Sequence, residues 1–225
     1  MTTVFPRRVL GLFAKEPRPG QAKTRLASAS SPEWASRVAE AFLLDLVDRL
    51  ASLNACRVLT YAPRSAEAYF DRVVRGRYEL EPQADGELGQ RMAAFFQGRL
   101  RTGAEAVVLL GTDSPTVPVA WIEQAFTELE RAHLVLGPAT DGGFYLLGCG
   151  RQLPPIFEGV AWSSTRTLRD TIARLTDPAW RLALLPPWYD VDTLDDWHVL
   201  RGHLAALRRA GLDPGVPRTE ALAEP

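Results

Sequence analysis

AVVLLGTDSP, residues Ala106–Pro115, is the stretch on which the fold turns. Five apolar residues in succession predict a strand buried in the middle of a sheet, since a strand with one wet face would alternate apolar and polar residues. The turn-forming GTDSP follows at once and sets Asp113 at the end of that strand, where a carboxylate needs a reason to be. DSP is also an ordinary turn sequence, so Asp113 has a structural reading beside the chemical one.

Working outward, short apolar runs alternate with longer amphipathic stretches. Strands are predicted over Val9–Ala14, Arg57–Tyr61, Tyr78–Pro82, Ala106–Leu110, Leu134–Leu136, Gly143–Leu147 and Leu182–Leu185. Helices are predicted over Pro32–Leu53, Ser65–Val74, Leu88–Leu100, Val119–Ala132, Ser163–Leu175 and Leu194–Arg209, with the three histidines on helices or their ends. This alternation predicts a three-layer α/β/α sandwich with a mostly parallel central sheet. The less regular last third supplies antiparallel additions, near Gly143–Leu147 and Leu182–Leu185. No repeat or low-complexity linker divides the chain, so one domain is expected over 1–211, with a loose tail over 212–225.

The 225 residues are 46% hydrophobic and 24% charged, with a net charge of −1, which suits a globular chain and gives no field of one sign for nucleic acid or an anionic membrane. Any anion site must be local. Cys56 and Cys149 read as buried free thiols, and two cysteines make no zinc pattern. Arg7 and Arg8 stand before the apolar run Val9–Ala14, but that run is too short for a secretory signal, and a cytoplasmic location is expected.

In open α/β sheets ligands sit beyond the carboxyl ends of the strands, so the loops there carry the functional reading. The first, AKEPRPGQAKTRL (Ala14–Leu26), holds Lys15, Arg18, Lys23 and Arg25. It is not a Walker A loop, because Ala22 and Pro17 stand where that motif needs glycine. A dinucleotide fingerprint, a nucleophile elbow and an HExxH pair are also absent, and His198 and His203, five apart, do not stack on one helical face. What remains is a set of loops rich in aspartate, glycine and cations. TDGG offers Asp141 beside two glycines, and YDVDT offers Asp190 and Asp192 on one face of an extended segment. Mg²⁺ takes one or two carboxylates plus substrate phosphates, so Asp113 and a second strand-end aspartate, facing Lys23 and Arg25, would clamp a di- or triphosphate. The rival reading for Asp192, or for Thr193, is the N-cap of the last long helix. For Lys15 and Arg18 it is a solvated loop charge.

FAKEPRPGQAKTRL, GELGQRM, LLGTDSP, GPATDGGFYLLG, WSSTRTL and DVDTLDDW occur in an order that resembles a bacterial family of glycosyltransferase-A-like proteins. That family, long catalogued as a domain of unknown function, is associated with radical-SAM partners and selenodomains and with proposed arsenosugar biosynthesis. The resemblance spans Val9 to about Leu204. It implies the nucleotide-diphospho-sugar transferase (GT-A) fold, shared with molybdenum-cofactor and phospholactate guanylyltransferases. By that resemblance Ala14, Lys15, Gly20, Lys23, Arg25, Gly86, Gly89, Arg91 and Thr112 lie on the nucleotide. Asp113 and Asp192 hold Mg²⁺ or Mn²⁺, ahead of Asp141 and Asp190, and Asp113, Lys23 and Arg25 are the catalytic set. Gly143, Ser163, Ser164 and Thr165 face the acceptor, the three hydroxyl residues opening a helix whose free N–H groups suit a carboxylate or phosphate or simply cap it. Phe144, followed by Tyr145, stands where the family commonly has tyrosine, and the register of the family's serine against Ser163–Thr165 is open by one position.

The resemblance implies a transferase using a nucleotide sugar or nucleoside triphosphate and a small-molecule acceptor, with neither nucleic acid nor membrane as partner. The oligomeric state stays open, a homodimer included. Glycosyl transfer from a nucleotide sugar is the first reading. Nucleotidyl transfer with release of pyrophosphate is the second, because the opening loop resembles a triphosphate grip, and a non-catalytic nucleotide binder is the third.

Overall fold

In the computed structural model, which describes residues 7–225, the apolar run at the start of the chain and the run at Ala106 lie side by side. Strand β1 (Arg8–Lys15) pairs in parallel with β4 (Ala106–Leu110) on one side and β2 (Cys56–Ala62) on the other. Strands β3 (Glu79–Pro82), β5 (Leu134–Pro138), β6 (Phe144–Cys149) and β7 (Leu182–Leu184) complete a seven-stranded sheet of order β3-β2-β1-β4-β6-β5-β7. Among the described residues only β6 runs against its neighbours, so β7, an expected antiparallel addition, is instead parallel to β5.

Side-chain alternation along the strands builds two cores. Leu10, Leu12, Val108 and Leu110 face helices α2 (Pro32–Arg49), α3 (Glu67–Val74) and α5 (Val119–Glu128). Val9, Val107 and Leu109 face α4 (Leu88–Arg101) and α6 (Thr167–Ile172) across the other side. Each buried side chain of this kind contributes roughly 1.5–3 kcal/mol. Gly11 is the gap in that second face: a Cβ there would lie 2.4 Å from the Phe95 ring, so the strand leaves the space to the aromatic. The three-layer α/β/α arrangement is therefore present, and among the described residues no helix is long and apolar enough to cross a membrane.

A third core lies at the end of the molecule, where α1 (Thr24–Ser28), α2 and α7 (Leu194–Arg209) meet around Leu26, Trp34, Phe42, Val191 and Trp197. Residues 212–225 belong to it. They are no loose tail: a short helix, α8 (Pro217–Glu220), packs on α2, and Val216 and Thr219 are fully buried. Composition hid this, because one buried valine and one polar contact decide it. The helix expected over Ser163–Leu175 is shortened to α6, because Ser163 adopts a left-handed φ of 56° that no helix tolerates. His133 lies not on a helix but in the turn before β5, where its ring accepts a hydrogen bond from the Arg181 N–H. Cys149 is buried and Cys56 is part-buried, and both are free thiols. The first six residues of the domain expected over 1–211 lie outside the described residues.

Candidate active site

Strand order reverses at β1: the chain moves outward through β2 and β3, then crosses back to β4 on the far side. Such a switch point opens a crevice at the carboxyl ends of the two parallel strands. Here a cavity of about 400 Å³ opens there, lined among others by Phe13, Lys15, Lys23, Thr112, Asp113, Phe144 and Asp192. A larger cavity of about 580 Å³ lies at the opposite end of the sheet. Four of its arginines are committed to surface ion pairs, Arg7 and Arg151 on Glu105, Arg8 on Glu130 and Arg131 on Glu128, and Arg181 Nε donates to the Arg131 carbonyl, so the chemistry points to the first.

Lys23 is the centre of the site. It takes a left-handed φ of 44° as N-cap of α1, which turns its side chain inward over the Phe42 ring, leaving the side chain 4% exposed. Its Nζ donates to Asp113 Oδ1 at 2.5 Å and to the Val191 carbonyl at 2.6 Å, and Asp192 Oδ1 lies 3.5 Å away. Burial works against the ammonium, but Asp113, Asp192 and Asp190 outweigh it and hold the Lys23 pKa raised. An ammonium has three donors, and with two short bonds made the third faces the Asp192 carboxylate. The Val191 N–H donates to the Asp113 carbonyl at 2.9 Å, which ties the loops after β4 and before α7 into one unit.

The capping question around Asp192 resolves in favour of Thr193. Its side chain caps α7 in a reciprocal box with Asp196, which leaves the Asp192 carboxylate free of that duty. Asp192 instead accepts from Arg25 at 2.5 Å. Burial, then Asp113, raises the Asp192 pKa, while Lys23 and Arg25 pull it back. Asp190 points the same way along the segment and accepts from Ser114. Burial, together with Asp113, Asp141 and Asp192, pushes Asp190 up to about 7 despite that bond.

Asp113 and Asp192 thus share one cation, Lys23. Among the described residues no three His, Cys, Asp or Glu side chains gather into a metal cage. The donor set fits a hard divalent ion that completes its shell from ligand phosphates and water.

Other expected residues are distributed more widely. Ala14 and Thr112 line the cavity. Lys15 also lines it, with Nζ donating to the Gln21 carbonyl at 2.8 Å, and Arg18 pairs with Glu16. Gly20 uses its freedom at a φ of 72°, in the turn of the same loop. Gly89 has a packing reason to be glycine, because a Cβ would lie 2.2 Å from Trp162 Nε1. Gly86 sits at a φ of 109° with its carbonyl held by Arg91 Nε at 2.6 Å. Arg91 also reaches Gln83 Oε1 at 3.4 Å, and Gln83 Nε2 donates to the carbonyls of Ala14 and Thr60.

Beyond the cavity, before β6, Gly143 N donates to Asp141 at 2.8 Å, and the Leu168 N–H donates to the Gly142 carbonyl at 2.9 Å. Ser164 Oγ is turned to the Ala161 carbonyl, and Ser163 and Thr165 are exposed in the turn before α6. Asp141, Gly143 and these three hydroxyl residues do not line the cavity near Lys23. Sequence reasoning missed Gln83, Leu88, Met92 and Phe144 as cavity walls. Gln83 could have been found, since it follows β3 as Asp113 follows β4.

A family model described as an uncharacterized protein conserved in bacteria, DUF2064, matches residues 46–164. The chain belongs to this family. A 3-phospho-D-glycerate guanylyltransferase of Phenylobacterium zucineum (strain HLK1) is 34% identical over 166 residues, covering 68% of this chain and 72% of that protein. A solved structure assigned to the nucleotide-diphospho-sugar transferases, from Desulfovibrio desulfuricans G20, matches with a TM-score of 0.84 and 28% identity over 95% of this chain and 98% of that one. Rv0371c of Mycobacterium tuberculosis H37Rv, solved with manganese, shares the fold at a TM-score of 0.50 and 18% identity, over 85% of this chain and 97% of that one. This DUF2064 protein is a nucleotide-using transferase of the nucleotide-diphospho-sugar transferase superfamily.

Proposed function

We propose that the protein is a divalent-metal-dependent nucleotidyltransferase that joins a nucleoside triphosphate to a small phosphorylated acceptor and releases pyrophosphate. The observation that carries this reading is the buried Lys23 ammonium, held between Asp113 and Asp192 at the switch-point crevice. The guanylyltransferase relative supports the reaction type and makes GTP the triphosphate to try first.

In this reading an oxygen of the acceptor phosphate attacks the α-phosphorus, the bond to the β-phosphate oxygen breaks, and pyrophosphate leaves. Lys23 and Lys15 hold the triphosphate, and Lys23 stays protonated throughout because its carboxylate neighbours raise its pKa. Asp113 and Asp192 would hold Mg²⁺ or Mn²⁺, which neutralises charge building on the departing diphosphate; the manganese-bound structural neighbour is consistent with that choice. Arg25 holds Asp192 in place. Phe13, Leu88, Met92 and Phe144 give an apolar wall against which a base can lie, with Gln83 and the Arg91-anchored Gly86 loop at its edge. Positioning and electrostatics supply most of the catalysis in phosphoryl transfer.

Glycosyl transfer from a nucleotide sugar is the second reading, favoured by the assignment of the structural relative at 28% identity. Thermal shift against panels of nucleoside triphosphates and nucleotide sugars with Mg²⁺, followed by a pyrophosphate-release assay with 3-phosphoglycerate, separates the two. Nucleotidyl transfer predicts stabilisation by GTP that is lost in Lys23→Ala, and pyrophosphate release only when acceptor is added. Stabilisation confined to nucleotide sugars would replace it with the second reading.

A further inference from the structure

Lys23 is held from behind by a core that the last residues of the chain complete. Phe42, the ring beneath Lys23, lies in α2 and shares one apolar cluster with Leu26, Val191, Trp197 and Val216. Leu26 follows Lys23 by three residues, and Val191 supplies the carbonyl that Lys23 bonds. Val216 leads into α8, whose four residues cannot hold a helix unaided. Asp45, on α2 and fully buried, binds the start of α8: it accepts from the backbone N–H groups of Arg218 and Thr219 at 3.2 and 2.9 Å, from Thr219 Oγ1 at 2.8 Å and from the Arg218 guanidinium at 3.2 Å.

The following residues then bridge the two helices behind the site. Trp34 of α2 donates its indole N–H to the Ala223 carbonyl, and Trp197 of α7 donates its own to Glu224, both at 2.9 Å. The two indoles meet edge to face at 5.0 Å. Helix α2 follows the Lys23 loop, and α7 follows the Asp192 loop.

We propose that the segment Val216–Glu224, clipped to α2 through Asp45, is a positioning element that holds Lys23 against Asp113 and the Val191 carbonyl. Releasing the clip loosens the Leu26–Phe42–Val191 contacts and lets Lys23 swing outward. Asp45 and Thr219 touch neither nucleotide nor acceptor. The consequence for catalysis rests on the nucleotidyltransferase reading, whereas the position of Lys23 does not.

Lys15 and Lys23 are the only lysines of the 225 residues, so side-chain acylation reports on this loop, and acylation of the α-amine is told apart by its own peptide. Full-length protein without nucleotide is acetylated with an N-hydroxysuccinimide ester, and the Lys23-to-Lys15 labelling ratio is read by peptide mass spectrometry. Exposed Lys15 is the internal reference, and alkylation of the fully buried Cys149 monitors global opening. Asp45→Asn and Thr219→Val are expected to raise the ratio about fivefold or more, the lower end of coupling between linked sites. Thr219→Ser, which keeps the hydroxyl, restores the wild-type ratio, and Cys149 stays unmodified in all of them. The affinity for Mg²⁺–GTP falls in the same variants by the same factor.

An unchanged ratio in Thr219→Val, with hydrogen exchange showing the 217–222 amides released, overturns the proposal. Lys23 and Cys149 becoming reactive together also overturns it, since the clip then serves only general stability. Should Asp45→Asn not fold, the Thr219 pair carries the test. Failure of wild-type protein to bind GTP removes the nucleotide reading and leaves the labelling result standing.

Discussion

Asp190→Asn, in protein freed of metal with chelator, is expected to gain stability at alkaline pH and none at acid pH. The wild-type carboxyl is pushed up to about 7 from an ordinary 3.8, first by burial and then by Asp113, Asp141 and Asp192. Its folded pKa therefore lies above its unfolded one. Between those values the unfolded state has already given up its proton, so the wild type loses stability as pH rises, and the full penalty is present above 7. Three units at 1.36 kcal/mol each set a ceiling of about 4 kcal/mol. The attraction of Lys23 for Asp190, and the solvent that reaches its half-exposed neighbour Asp113, bring the expectation to about 2 kcal/mol. The asparagine Oδ1 still accepts from Ser114, so that hydrogen bond is not lost.

Urea unfolding followed by tryptophan fluorescence at pH 4, 6 and 8 measures the difference. The variant should exceed wild type by about 2 kcal/mol at pH 8, which is a rise of roughly 4–8 °C in Tm for a chain of this size. At pH 4 the two should coincide. A variant less stable than wild type at pH 8, or a gain that does not change with pH, would refute the electrostatic account of this loop. A gain in stability accompanied by weaker nucleotide binding is the trade expected where like charges are gathered for function.

Three further perturbations test separate parts of the structure. Gly89→Ala puts a methyl 2.2 Å from the Trp162 indole and should cost about 1–3 kcal/mol, read from the urea midpoint together with a shifted tryptophan emission maximum. Asp45→Ala strips the donors of Arg218 and Thr219 of their buried partner, and a loss of about 3 kcal/mol is expected by the same measurement. The Cys149 thiol, pushed up to about 12 by burial, should resist a disulfide reagent at pH 8 until urea unfolds the chain. Cys56, raised to about 11 by burial and Glu79, should react slowly without denaturant.

The sheet was readable from the sequence because its central strands are continuous apolar runs with no competing period. Ala106–Leu110 and the last long helix, Leu194–Arg209, have the predicted bounds, and α2 and α4 start where expected. What escaped was set by single backbone or long-range contacts. The left-handed Ser163 truncates α6 against a helical pattern, and Asp45 fixes α8 across a separation of 174 residues. In the site, Asp113 stood out by following the most apolar strand. Lys23 stood out by its loop, but its burial over Phe42 and its bond to the Val191 carbonyl arise only when α1, α2 and the loop before α7 converge. The choice between Asp192 and Thr193 as helix cap could not be made from neighbours in sequence, because both side chains suit the role and only the bond to Asp196 selects one.

The reversal of β6 also sets how this scaffold can change. Entering beside the carboxyl end of β4, β6 leaves the sheet at its opposite end, and the chain must travel back before α6 can begin. That return, residues 150–166, carries no strand or helix of its own, yet Trp162 leans on Gly89 and Phe144, and Thr165 presses against Gly142. The Phe144 side of the crevice is therefore backed by chain outside any ladder, where an insertion or deletion breaks no sheet hydrogen bonds. The opposite wall, between β1 and β4, has no such freedom. Related proteins built on this plan should keep their nucleotide side nearly rigid and vary in the length of the segment between β6 and α6, exchanging one small acceptor for another by changing a detour rather than a sheet.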